Sequence, residues 1–200
     1  MQKGKIIFLN GVSSSGKTTL AKTLLERLTE PYYYLSPDVL LCKGGIVPDK
    51  FATNDDDGFR FMRKSYSVYH HIIKAISDMG QNTIVDTLLL DRVPYESVSQ
   101  EPLKNLDECV ELLHDCPVLF VHVTCPIKEL RRREKKRGDR PVGHGEKQLA
   151  VLVPQDTYDI TVDTYNKTIE ECADQVIAST EDMNKHTSFK TLWLQHKNQA

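Results

Sequence analysis

The sequence predicts an α/β fold, a five-stranded parallel sheet with helices on both faces forming three layers. Three observations carry that prediction. Short apolar runs alternate with longer amphipathic stretches, as buried parallel strands and their crossover helices do. The first apolar run leads directly into a glycine-bounded loop and then a helical pattern. The chain has 200 residues, 40% of them hydrophobic and 27% charged, which suits one ordinary folded core.

The strand candidates are Lys5–Asn10, Tyr32–Ser36, Thr83–Asp86, Val118–Thr124 and Asp159–Asp163. Helical patterns lie between and after them at Lys17–Leu28, Phe59–Met79, Leu106–Leu113, Pro126–Arg137 and Lys167–Ala178. Two segments break the repeat and read as functional loops: Leu40–Gly58, with Gly44-Gly45, Pro48 and the acidic triplet Asp55-Asp56-Asp57, and Gly138–Gly145. The triplet lacks calcium-loop spacing and reads as a solvated surface run. Residues 1–180 form the expected domain, and residues 181–200 read as a polar tail or a short docking helix.

Composition narrows the function. A formal net charge of -2 gives no general attraction to a polyphosphate, so coating of nucleic acid is not expected, and no apolar stretch approaches the length that crosses a membrane. Five scattered cysteines without a Cys-x-x-Cys pair indicate neither a disulfide framework nor a zinc site, and fit a reducing cytoplasm. The basic start is followed by an apolar run, Ile6–Leu9, that Asn10-Gly11 breaks too early for an export segment. An intracellular protein is the expectation; the sequence does not specify its oligomeric state.

The chemistry begins at Gly11-Val12-Ser13-Ser14-Ser15-Gly16-Lys17-Thr18, with Thr19 directly behind. Glycine, four residues, then Gly-Lys-Thr is the spacing that wraps backbone N–H groups around phosphate oxygens. Lys17 is expected to reach the β- and γ-phosphates of ATP, and Thr18 to ligate a magnesium ion bridging them. The helix that starts there adds a favourable dipole. This strand, loop and helix predict a P-loop NTPase-type fold.

In open α/β sheets ligands bind beyond the carboxyl ends of the strands, so acids placed there are candidates for chemistry. Asp86 ends the Thr83-Ile84-Val85 run, where an acid holds magnesium through its hydration shell; the alternative is a turn aspartate. Asp38 follows the second strand, where a carboxylate would accept the proton of an attacking hydroxyl; a helix N-cap is the equal alternative.

The basic run Arg131–Arg140 starts on a helical pattern and ends in the glycine-rich loop. It reads as an exposed basic helix face, as a nuclear-localisation or RNA patch without the aromatic platform of an RNA-binding module, or as a lid over residues 131–145, whose guanidinium groups close on the transferred phosphoryl. Helical spacing spreads the cations around the axis, which leaves Arg137 and Arg140 as the candidates and Gly138 and Gly143 as hinges.

Several stretches resemble the chloramphenicol phosphotransferase-like family in family order. They are Leu9–Lys17, Asp38-Val39-Leu40, Ile84-Val85-Asp86, Arg137-Gly138-Asp139-Arg140, Tyr158–Thr164 and Glu171-Cys172-Ala173. The resemblance covers about residues 5 to 180. It implies an ATP- and magnesium-dependent kinase acting on a hydroxyl of a small molecule, with Asp38 as catalytic base, Lys17 as loop lysine, and Arg137 and Arg140 as lid arginines. Leu41–Ile76 shows little match to the antibiotic-modifying member, which leaves the acceptor open. The alternatives are a nucleotide or nucleic-acid-end kinase on the same fold, or a nucleotide-binding switch; against the switch, the guanine-reading Asn-Lys-x-Asp pattern is absent after Asn166-Lys167.

Overall fold

Ile6–Asn10 forms strand β1, and all five residues are buried, as a run of apolar side chains at the centre of a parallel sheet requires. The computed structural model describes residues 2–43, 56–90 and 105–197, without the side chains of 42, 43, 56–60, 62, 63 and 155. The other strands are β2 (Tyr32–Leu35), β3 (Asn82–Thr87), β4 (Val118–Thr124) and β5 (Ile160–Asp163). All pair in parallel in the order β2-β3-β1-β4-β5. The expected strands are all present, with no end moved by more than one residue.

The helices are α1 (Lys17–Arg27), α2 (Asp56–Asp78), α3 (Asn105–Leu113), α4 (Ile127–Arg137), α5 (His144–Leu149), α6 (Ile169–Ser179) and α7 (Ser188–Lys197). Ile7, Leu9, Ile84, Leu119, Val121 and Val123 meet α1 and α6 on one face. Ile6, Phe8, Val85, Val118 and Phe120 meet α2, α3 and α7 on the other. That is the three-layer α/β fold the sequence predicts. Among the described residues no helix is long and apolar enough to cross a membrane.

Some boundaries shift for identifiable reasons. The helix after β5 starts at Ile169 rather than Lys167, because Thr168 caps it: its hydroxyl accepts from Glu171 N–H at 3.1 Å while the Glu171 carboxylate accepts from Thr168 N–H at 2.8 Å. Of the loop expected at Leu40–Gly58, the stretch 44–55, with Gly44-Gly45, Pro48 and Asp55, lies outside the described residues. Its flanks are helical: Asp38–Lys43 is a π-helical turn, and α2 already begins at Asp56.

After residue 180, α7 docks against α3 and β4, and Phe189 and Leu192 join the core beside Phe8 and Phe120. Leu192 is 5% exposed. Leu192→Ala is expected to cost about 2 kcal/mol, at the low end for a buried leucine because α7 closes the edge of the core. A urea midpoint unchanged from the unaltered chain would show that α7 contributes nothing to the fold.

Candidate active site

The loop between β1 and α1 is held by contacts that its octet pattern does not reveal. A Cβ on Gly11 would collide with the Val123 carbonyl, so only glycine lets the chain leave β1 this close to β4. Ser14 adopts a left-handed φ of 65°, a conformation disfavoured for a side chain and retained where surrounding contacts fix it. Lys17 Nζ donates to the carbonyls of Gly11 at 2.7 Å and Val12 at 3.1 Å.

Those fixing contacts come from the basic run. Arg133 donates to the carbonyls of Ser14 at 3.3 Å and Ser15 at 3.2 Å, and to the hydroxyl and carbonyl of Thr164, each at 2.9 Å. Its Nε donates to Glu129 at 2.8 Å, and the hydrogen bonds of Arg132 and Arg133 hold the Glu129 carboxyl down to about 2. Glu134 is fully buried and accepts from the backbone N–H groups of Gly143 and Gly145, both at 2.6 Å. Gln148 accepts from Ser13 N–H at 2.7 Å. The base of the expected lid is thus fastened to three successive loop residues, Ser13, Ser14 and Ser15. None of the readings of the run anticipated this strut.

Arg133→Met should lower stability by about 2 kcal/mol, because the Ser14 and Thr164 carbonyls lose their guanidinium donor, the Ser15 carbonyl keeps only the Thr164 hydroxyl, and Glu129 keeps only Arg132. The check is the urea midpoint; no change would deny Arg133 its anchoring role.

Arg137 and Arg140 stand at the far end of α4. Arg137 donates to Asp139 at 2.9 Å, Arg140 donates to Asp139 at 3.2 Å and also bonds the Ser13 hydroxyl, and the pair draws the Asp139 carboxyl below its ordinary value. Gly138 (φ 70°) and Gly143 (φ 92°) bracket this turn in the left-handed region. The residues expected to hinge the segment are the ones at its bends.

On the opposite wall, Asp86 is buried at 5% exposure and its Oδ2 accepts from the Thr18 hydroxyl at 2.7 Å and from the Tyr34 hydroxyl at 3.0 Å. Tyr34 was readable only as a strand residue. Burial and the Asp86 charge push its phenol up to about 12, so it stays a donor. Asp38 is exposed at the start of the π-helical turn, and the Ser36 carbonyl accepts from Val39 and Leu40 N–H. No described residue hydrogen-bonds the Asp38 carboxylate, so the N-cap alternative is not what this aspartate does here.

One cleft of about 730 Å³ collects these groups: Lys17, Thr18, Asp38, Asp86, Arg137 and Arg140 all line it. Burial lowers the Lys17 pKa, Asp86 and Asp38 pull it back up, and Arg140 and Arg137 lower it further. The four charged groups therefore act on Lys17 through a common space. Thr18 and Asp86 offer a hydroxyl and a carboxylate, an all-oxygen pair suited to a hard divalent cation. Among the described residues no group of three His, Cys, Asp or Glu could hold a metal ion.

A model of the chloramphenicol phosphotransferase-like proteins matches residues 4–181. The chain belongs to that family. An adenylyl-sulfate kinase of Clostridium acetobutylicum is 28% identical over 183 residues, covering 88% of this chain and 82% of the relative. A Mycobacterium tuberculosis protein, named provisionally as an O-phosphotransferase, is 25% identical over 192 residues, with 86% and 80% covered. Among solved structures, the Mycobacterium tuberculosis APS kinase in complex with AMPPNP and APS superposes with a TM-score of 0.64 at 18% identity, over 91% of this chain and 100% of that one. The fold is that of P-loop kinases, and the family is one of phosphotransferases.

Proposed function

We propose that this protein is a magnesium-dependent kinase that transfers the γ-phosphoryl group of ATP to a hydroxyl of a small molecule in the cytoplasm. The observation that carries the reading is the cleft in which the phosphate loop, a carboxylate that no described residue hydrogen-bonds, and two arginines face one another. The loop N–H groups and Lys17 would hold the phosphates, with Thr19 at the start of α1 beside them. Asp38 would accept the proton as the acceptor oxygen bonds to the γ-phosphorus and the bond to the bridging β,γ-oxygen breaks, releasing ADP. Lys17, Arg137 and Arg140 would steady the charge on the transferred group. Thr18 and Asp86 are the residues that would hold magnesium, whose chemistry there is to neutralise phosphate charge.

A substrate panel tests this directly. ADP formation is measured with sugars, chloramphenicol, adenylyl sulfate, nucleosides, nucleotides and oligonucleotides as acceptors. Stimulation by a small hydroxylated molecule is the expected result. Stimulation by nucleotides or oligonucleotides alone would replace this reading with a nucleotide or nucleic-acid-end kinase. ADP formation indifferent to every acceptor would leave a nucleotide-binding switch.

A further inference from the structure

Asp86 Oδ2 carries two donors from different directions, Thr18 Oγ1 at 2.7 Å and Tyr34 Oη at 3.0 Å, while no described residue donates to Oδ1. The arrangement crosses three elements: Thr18 opens α1, Asp86 lies on β3, and Tyr34 reaches in from the edge strand β2, where it is paired with Ile84. A carboxylate at a strand end is free to rotate about its last bond, and a donor on one oxygen fixes which way the other faces. Thr18 belongs to the set that would touch the metal, whereas Tyr34 does not.

We infer that Tyr34 is a positioning residue for the metal: its hydroxyl pins Asp86 Oδ2 so that Oδ1 faces the cleft and holds the hydration shell of a divalent cation bound with nucleotide. This rests on the proposed metal role of Thr18 and Asp86. The physical reason is general: groups that orient a metal-holding carboxylate set its affinity even when they never contact the ion. Without the phenol only the Thr18 hydroxyl, which the metal would also claim, holds Oδ2, so the carboxylate samples more rotations and the ordering cost is met when metal binds.

The experiment measures affinity for ADP by calorimetry, with magnesium and with a chelator, in the unaltered chain and in Tyr34→Phe. The phenylalanine keeps the half-buried ring, and Tyr34→Leu serves as a second variant should the first fail to fold. The expected result is that magnesium tightens ADP binding in the unaltered chain and that this metal-dependent gain falls about 10–100-fold in the variant. Binding without metal stays unchanged. An equal loss with and without magnesium would mean that Tyr34 merely supports the fold, and an undiminished gain would mean that it does nothing; either overturns the inference. If magnesium has no effect on the unaltered chain, the inference also fails. A chain that binds magnesium and ADP as expected but phosphorylates no acceptor overturns the kinase reading and leaves the role of Tyr34 standing.

Discussion

Replacing Asp38 by asparagine is expected to slow phosphoryl transfer by about 10²–10⁴-fold while nucleotide affinity stays close to that of the unaltered chain. Asparagine matches aspartate in size and has no charge to accept a proton, so the acceptor hydroxyl would have to lose its proton to water. The fold gives little reason for collateral damage. The carboxylate is exposed to the cleft and makes no hydrogen bond with a described residue, and the turn it opens is closed by the Ser36 carbonyl instead. Its influence on Lys17 is electrostatic, so removing one negative charge from the cleft would if anything favour an anionic nucleotide. The measurement is single-turnover transfer to an acceptor found in the substrate panel, paired with an ADP titration. Transfer at the unaltered rate would strip Asp38 of its role as base, and weakened ADP binding would reassign it to the nucleotide site.

The fold was legible because its strands are apolar runs cut off by loop residues, and a parallel strand buried on both faces must be written that way. The phosphate loop was legible because its chemistry depends on glycines and a lysine at fixed spacing, a local property of the chain. Arg133, Glu134 and Gln148 were not. Arg133 meets Ser14 across 119 positions and Gln148 meets Ser13 across 135, and in a run of seven cations nothing local marks the one that turns inward. Tyr34 sits in a run of three tyrosines, where only the strand pleat decides which ring points at Asp86. Helix α5 escaped notice because six residues starting at a histidine between glycines carry no amphipathic period. For Asp38 the place after β2 suggested chemistry and capping equally, and only the folded turn shows that the Ser36 carbonyl, not this carboxylate, takes up the Val39 and Leu40 N–H groups.

Lys17→Ala is expected to strike at the step before transfer, weakening ATP and ADP binding by about 10²–10³-fold. Removing one partner of a desolvated charge contact costs about 2–5 kcal/mol, and each 1.4 kcal/mol is about tenfold. Lys17 Nζ is bonded to the Gly11 and Val12 carbonyls, so the loop holds its cation in the cleft. Burial lowers its pKa, which means the ammonium is poorly solvated there and stands to gain from an incoming phosphate. The loss should therefore appear in the complex far more than in the free fold. At ADP a hundredfold above the unaltered Kd, nucleotide stabilises the unaltered chain by about 2.7 kcal/mol, whereas a variant weakened about a hundredfold gains only about 0.4 kcal/mol. Thermal melts of both proteins with and without ADP measure that difference. Nucleotide protection equal to that of the unaltered chain would mean that the backbone amides of the loop hold the phosphates alone, and would leave Arg137 and Arg140 as the cations that matter.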